Sequence, residues 1–513
     1  MNSLSRMLLL VVATAAMALS IPAVASATDY CVLTSCGGTN VNTLEEALDE
    51  AKKAPDADRV FLGTGEFHAQ SSFGFVYNAA GPVEIIGTSR NDTFLTAPLG
   101  ATTVLNLKGG IGSSVHDLSI QMPRYANGSA LYTSNTARRI LVQEGQEQSQ
   151  GRDGVELVNG GKLEESSVFL ARDPKTAAVA LGVGGGTVRD SKLVGGSGVV
   201  SRYGDGLIER SSIKSSEFGV RALRNVTTVR STFIGSTAGT GLRADTQGAS
   251  TTLNADGVSI WAAYVPDAVG VSATTALAPM QNARVKLTNS IYRGGGKALV
   301  AQSTDQGEAQ VAASYSDYDP GFDTADGAHA QITEANVSYV GDSVFTAPGS
   351  ADFTLPATSK LIDAGDPGTE QGVDLAGKPL VADGNGDGIA RRDLGAYERE
   401  PAAGGGGTGT ADTVAPVIRR FSATRARFRY ILSERARVTV AIKRIAKRGG
   451  HVRLRTVGSL KRRGAEGANS IRFRARIGKR ALRPGRYVAV IRATDAAGNR
   501  SKPRTAGLRI KRS

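Results

Sequence analysis

Leu163-Glu-Glu-Ser-Ser-Val168 is the phrase that decides the fold. It returns as Val188-Arg-Asp-Ser-Lys-Leu193, Ile208-Glu-Arg-Ser-Ser-Ile213, Thr228-Val-Arg-Ser-Thr-Phe233, Leu253-Asn-Ala-Asp-Gly-Val258 and Leu287-Thr-Asn-Ser-Ile-Tyr292. Start-to-start spacings are 25, 20, 20, 25 and 34 residues. A recurrence near 20–25 residues with Gly-rich connections marks a solenoid. The two apolar ends of the phrase lie five apart, so on one straight strand they would face opposite sides. Both can point inward only if the chain bends between them. The small polar column, Ser166 to Ser290, then stacks at that corner and hydrogen-bonds from coil to coil. The leucine-rich repeat phrase with its buried Asn is absent, and no helical period alternates with the strands.

This pattern resembles the right-handed parallel β-helix proteins of the pectin-lyase-like superfamily. One coil cannot bury its apolar face alone, so coils stack and share a core. Each coil advances about 4.8 Å. Residues 75–318 leave room for roughly ten coils. The expected fold class is therefore all-β: a right-handed parallel β-helix over 28–350, followed by a small β-sandwich.

Residues 1–27 read as a secretory signal, with Arg6, an apolar run from Met7 to Ile21 and Ala25-Ser26-Ala27 as the cleavage site. The run is short for a membrane span. Export is expected, with no transmembrane segment in the mature chain. Cys31 and Cys36 are the only cysteines. In an oxidising compartment a pair this close forms a staple, and nearby metal ligands are lacking. Thr43 to Lys53 reads as a helix with a Thr43/Glu46 capping box and an apolar face of Leu44, Ala47, Leu48 and Ala51. In β-helix proteins such a helix covers the open end of the core. Trp261 and Tyr264 have two readings: packing of a side loop, which is preferred, or a stacking platform for a sugar.

Residues 351–400 form a distinct unit containing Leu361-Ile-Asp-Ala-Gly-Asp366 and Asp393-Leu-Gly-Ala-Tyr-Glu398. It resembles the end of the choice-of-anchor type Q β-helix domains, which are exported bacterial surface proteins. Within it, Asp383, Asn385 and Asp387 precede Gly388, and this spacing suits a calcium loop. Position twelve of an EF-hand would be Leu394, so a full EF-hand is not expected. An Asp/Gly turn without metal is the other reading.

Residues 401–413 are a Gly-rich linker. Residues 414–513 resemble bacterial immunoglobulin-like or fibronectin-type modules, and about 100 residues suit such a sandwich. Residues 413–513 hold 30 Lys and Arg against 3 acids, a net of +27. The whole chain is +14, so residues 1–412 carry −13. Arg425, Arg427 and Arg429 alternate, as do Arg472, Arg474 and Arg476, which places each trio on one face of a strand. A basic face attracts polyanions. Export points to acidic polysaccharide or an anionic cell-wall polymer, not nucleic acid. The other reading is a solvated surface without a partner.

The superfamily includes hydrolases, lyases and epimerases of uronic-acid polymers. Its pectin hydrolases use an Asp pair, a His-Gly and an Arg-x-Lys. No Asp-Asp occurs here, none of the four histidines precedes Gly, and Arg509-Ile-Lys511 lies in the tail. Arg202, Asp205, Glu209 and Arg210 are the residues a lyase reading would gather, though a solvated loop explains them equally. The preferred reading is a noncatalytic exported β-helix anchored by a basic module. The alternative is a polysaccharide lyase or epimerase. Carboxylates and arginines collected on one exterior face would favour the second.

Overall fold

The structure, a computed structural model, describes residues 27–400 and 415–510 apart from short internal stretches. The longest of these are 123–127, 145–152, 276–279 and 495–498. The signal segment, the linker and Tyr264 lie outside the described residues. The chain divides into two compact units, 1–400 and 401–513.

The first unit is a right-handed parallel β-helix of about ten turns. Each strand pairs with its equivalent one coil on, as Leu163 with Val188, Val188 with Ile208, and Ile208 with Val229. This inward column continues through Ala255, Leu287 and Ala313. A second column holds Val168, Leu193, Ile213, Ile234, Ile260 and Tyr292. Both columns are buried in one continuous core.

One residue per coil makes the bend. Glu165, Asp190, Arg210, Ser231, Gly257 and Asn289 all have φ between 43° and 64°. Left-handed backbone costs a non-Gly residue roughly 1–2 kcal/mol. Hydrogen bonds at the corner offset that cost. The Ser166 Oγ accepts the Ile140 amide at 3.1 Å, and Ser191 Oγ accepts Ser166 at 3.2 Å. Ser211 Oγ accepts Ser191 at 3.3 Å, Ser290 accepts Val258 at 3.0 Å, and Ser316 accepts Ser290 at 3.2 Å. Each hydroxyl donates its own proton two residues back, as Ser191 to the Arg189 carbonyl at 2.8 Å.

Two copies of the phrase sit in a different register from the sequence expectation. The fourth is Val229–Thr232–Ile234, one residue on from Thr228–Ser231–Phe233. The fifth is Ala255–Val258–Ile260, two residues on. In Thr228-Val-Arg-Ser-Thr-Phe-Ile234 apolar residues occur at both parities, so the pattern does not choose. A slip of one turns every side chain to the other face. Phe233 thereby leaves the main core and joins a separate apolar cluster.

At the N-terminal end a helix, Leu44–Ala51, buries Leu44, Ala47, Leu48 and Ala51. Thr43 Oγ1 accepts the Glu46 amide at 3.1 Å. The Glu46 carboxylate reaches back to the amide of Asn42 at 2.8 Å rather than to that of Thr43. Cys31 and Cys36 are disulfide-bonded, with Cα atoms 5.6 Å apart.

Beyond Ala330–Ala335 the chain folds back along the flank of the helix. Phe345, Phe353, Leu355, Leu361, Ile362 and Leu394 pack with Phe233 and Ile291. The Phe353 ring stacks on Phe233 with centroids 4.0 Å apart. Trp261 lies 6.0 Å from the Phe345 and Phe353 rings, in a packing role. Carboxylates replace strand pairing here, because buried amides need acceptors. Asp374 accepts the amides of Ala376, Lys378 and Glu398 at 2.7–2.9 Å. Asp393 accepts those of Asp363 and Arg399, and Glu398 accepts that of Asp393. This gives Asp393-Leu-Gly-Ala-Tyr-Glu398 a structural role.

The second unit is a β-sandwich of antiparallel sheets around one core. Ile418–Ala423, Arg427–Leu432 and Gly467–Arg472 form a three-stranded sheet. His451–Gly464, Ala436–Arg448, Gly485–Thr494 and Arg504–Ile510 form a four-stranded one, in that order.

Candidate functional site

Strict alternation in the second unit turns Phe428, Tyr430 and Leu432 inward and Arg427 and Arg429 outward. Arg472 stands directly opposite Arg427 on the neighbouring strand. Arg429 sits between Ser470 and Ser422. Cross-strand neighbours on one face approach to about 4.5–5.5 Å at Cβ, and like charges there repel. No ion pair between described residues involves Arg425, Arg427, Arg429, Arg472 or Arg474. The expected single-strand trios are corrected in part. Arg425 is in the turn before its strand. The strand carrying Arg472 ends there, Arg474 turns with φ 52°, and Arg476 belongs to a short separate pair. The basic face is therefore Arg427, Arg429 and Arg472.

The first unit treats its arginines differently. Arg202, Asp205, Glu209 and Arg210 do not form one cluster, though Glu209 and Arg210 pair at 3.8 Å. Arg202 grips Asp153 at 2.5 and 3.0 Å, and Asp205 accepts the Val226 amide at 3.0 Å. Further along the same sheet Arg221 and Arg243 are neighbours, and both lie over the Phe218 ring. Both pair with Asp245, at 2.5 and 3.3 Å. Burial pushes the nearby Glu217 carboxyl up, against the pull of the two guanidiniums. Carboxylates and arginines thus do collect on one exterior face.

Glu209 and Arg210 belong to another sheet, where they border a groove of about 670 Å³. Its floor is two outward columns on successive coils. Thr228, Asn254 and Lys286 form one, and Glu209, Arg230, Asp256 and Thr288 the other. Its roof is the returning chain, with Gln371, Leu380 and Arg392. Arg189 holds Glu209 at 2.9–3.0 Å. Asp256 accepts Arg392 Nη1 at 2.6 Å and Asn289 Nδ2 at 2.8 Å. The sequence reading misses Arg230, Lys286 and Arg392. Arg392 arrives from 136 residues beyond its partner, so no local pattern signals it.

Asp383 accepts the amides of Asp387 and Gly388 at 2.9 and 2.6 Å, and Asn385 Oδ1 also accepts that of Asp387. Asp387 accepts Ile389. Leu394 is buried in the flank cluster and the Asp393 carboxylate is spent on amides, so the closing carboxylate of an EF-hand is missing. Among the described residues no three His, Cys, Asp or Glu side chains converge to hold a metal. Calcium here rests on the spacing of Asp383, Asn385 and Asp387 alone.

Burial raises Asp393 to about 6 and Glu398 to about 9, each also pushed by neighbouring carboxylates. Arg139 holds Asp117 at about 2.

No family profile matches the chain, and no curated protein matches it in sequence. Several solved structures bear a distant likeness to it. Pectate lyase Pel9A is 13% identical, with TM-score 0.46 over 73% of this chain and 97% of that one. A mannuronic acid specific family 6 polysaccharide lyase from human gut microbiota is 8% identical, with TM-score 0.40 over 62% and 88%. The A-module of Azotobacter vinelandii mannuronan C-5 epimerase AlgE4 is 13% identical, with TM-score 0.27 over 58% and 91%.

Proposed function

We propose that this is an exported protein that binds an anionic polysaccharide or cell-wall polymer through its basic C-terminal sandwich, with the β-helix as rigid carrier. The observation that carries this reading is the outward face of Arg427, Arg429 and Arg472, set without acidic partners among the described residues. In the first unit, by contrast, Arg59, Arg139, Arg189, Arg210, Arg284 and Arg293 each meet an acid. A cationic surface that repels itself gains most from a polyanion. Attachment through a variable terminal module also suits the choice-of-anchor type Q resemblance. An immunoglobulin-like or fibronectin-type reading of that module is supported by its sheets of three and four strands. The Tyr487 hydroxyl adds to this by donating to the Arg483 carbonyl, four residues upstream, at 2.7 Å.

Co-sedimentation of full-length protein and of residues 415–513 with purified cell walls tests it. Both are expected to pellet at low salt and to release near 1 M, where the Debye length falls from about 10 Å to about 3 Å. Retention indifferent to salt, or borne by residues 28–400 instead, would overturn it.

The second reading, a polysaccharide lyase or epimerase, is favoured by Arg221, Arg243, Asp245 and Glu217 on one exterior face. Unsaturated products from a panel of uronic-acid polymers, lost on Arg243→Ala, would support it.

A further inference from the structure

The groove over the second sheet is distinct from the basic sandwich and carries its own chemistry. Four cations border it: Arg210, Arg230, Lys286 and Arg392. Two of them are committed to acids. Arg210 holds Asp190 at 2.6 Å. Arg392 uses Nη1 on Asp256, and its Nε stands 3.8 Å from Glu398 without a hydrogen bond. The other two are exposed. Arg230 lies 3.9 Å from Glu209, whose carboxylate Arg189 already grips at 2.9 Å, and Lys286 has no ion-pair partner among the described residues.

Arg392 is the second, independent observation. Its side chain is 1% exposed, yet Nη2 and Nε find no acceptor among the described residues. A buried guanidinium with idle donors is costly, because charged groups taken from water need replacement hydrogen bonds. Glu398 does not supply them, since its Oε1 stands 3.8 Å from Nε, beyond hydrogen-bond reach. The remaining lining holds amides and hydroxyls, the carboxylates of Glu209 and Asp256, and apolar Ala255, Val373 and Leu380. Asn254 lies on the floor and Gln371 at the roof, the kind of group that meets sugar hydroxyls. The volume of about 670 Å³ falls within the roughly 300–1,000 Å³ of small-ligand sites.

We propose that this groove is a binding site for an anionic sugar unit, its carboxylate or phosphate received by the exposed Arg230 and Lys286 above the buried charge of Arg392, and its hydroxyls by Asn254 and Gln371. The site is assembled only when the returning chain covers the coils. It does not depend on the sandwich reading, and either can fail alone.

The test uses the full mature chain carrying Arg427→Gln, Arg429→Gln and Arg472→Gln, which removes the sandwich face from the result. Isothermal titration is run with a galacturonate trimer, glucose 6-phosphate and neutral maltotriose. At least one anionic probe is expected to bind at least tenfold more tightly than maltotriose. Binding of the trimer alone assigns a carboxylate ligand, and of the sugar phosphate alone a phosphate. Arg230→Gln with Lys286→Gln is expected to weaken that binding at least tenfold. Both residues are exposed, so an unchanged melting temperature certifies the fold. Binding no stronger than that of maltotriose, or anion binding untouched by the double substitution, overturns the proposal.

Discussion

Arg392 lies over Gly257. A Cβ built on Gly257 would stand 1.8 Å from Arg392 Nη2, and Gly257 is the corner residue of its coil, with φ +64°. At the equivalent corner other coils carry Glu165, Asp190, Arg210 and Asn289, so glycine is not required by the bend itself. It is required by the guanidinium that the returning chain lays on that corner.

Gly257→Ala is therefore expected to destabilise the first unit by about 1–3 kcal/mol, the usual cost of overpacking. The new methyl displaces Nη2 and disturbs the Arg392–Asp256 pair. In an Arg392→Leu background most of that penalty should vanish, leaving the backbone cost near 1 kcal/mol. A urea-denaturation cycle over the four proteins measures the coupling. Additive effects would show that the contact is not felt.

The corner ladder separates two serines that look alike in sequence. Ser211 Oγ accepts the buried Ser191 amide, so Ser211→Ala strands that donor and should cost about 1–3 kcal/mol. Ser231 sits one residue off the column and only donates to the carbonyl of Val373, a residue that is 39% exposed. Ser231→Ala should cost under about 1 kcal/mol, since water replaces it. Equal losses in urea titrations of the two variants would contradict the register.

Stability of the first unit should fall as pH rises from 7 to 9. Glu398 titrates at about 9 in the fold against an ordinary 4.5. Between those values the native protein holds a proton that the unfolded chain has released. The stability it represents is complete below 4.5 and is lost as pH climbs through about 9. Asp393, raised to about 6, adds the same sign only at lower pH, and Asp117, held at about 2, acts with opposite sign below its ordinary 3.8. Glu398→Gln keeps an acceptor for the Asp393 amide and cannot ionise. Its melting temperature should stay flat from pH 7 to 9 while that of the wild type declines. A parallel decline in both would refute the assignment.

In the basic sandwich, Arg427→Gln with Arg472→Gln should weaken cell-wall retention more than Arg474→Gln with Arg476→Gln. The first two share one face across a strand pair, and the second two leave it at a turn. Surface substitutions of this kind usually change stability by under about 0.5 kcal/mol, so both variants should melt as the wild type does. Retention curves against salt that coincide for the two pairs would remove the face from consideration.

The Asp383 loop offers a separate test. Asp383→Ala removes the acceptor for two amides and should lower the melting temperature whether calcium or a chelator is present. A wild-type melting temperature raised by calcium, with the rise abolished by Asp383→Asn, would instead establish a bound cation, since a ligand of the native state stabilises it.

The β-helix, its capping helix, the Cys31–Cys36 staple and the shared face of Arg427 and Arg429 were all legible in residue order. Each depends on neighbours in sequence: a repeat, a helical stripe, a short loop, a two-residue alternation. The copies around Thr228 and Leu253 were misread: apolar residues at both parities around Thr228, and apolar residues two apart at Leu253/Ala255 and Val258/Ile260, leave the register open until the adjacent coils select it. The groove could not be read at all. Arg230 and Lys286 come together only because coils stack. Arg392 reaches Asp256 only because the chain folds back through Phe353 onto Phe233. Contacts between residues 100 or more apart leave no local period, so the packing of the returning chain, and not the pattern of the repeat, decided where the idle guanidinium and its groove would lie.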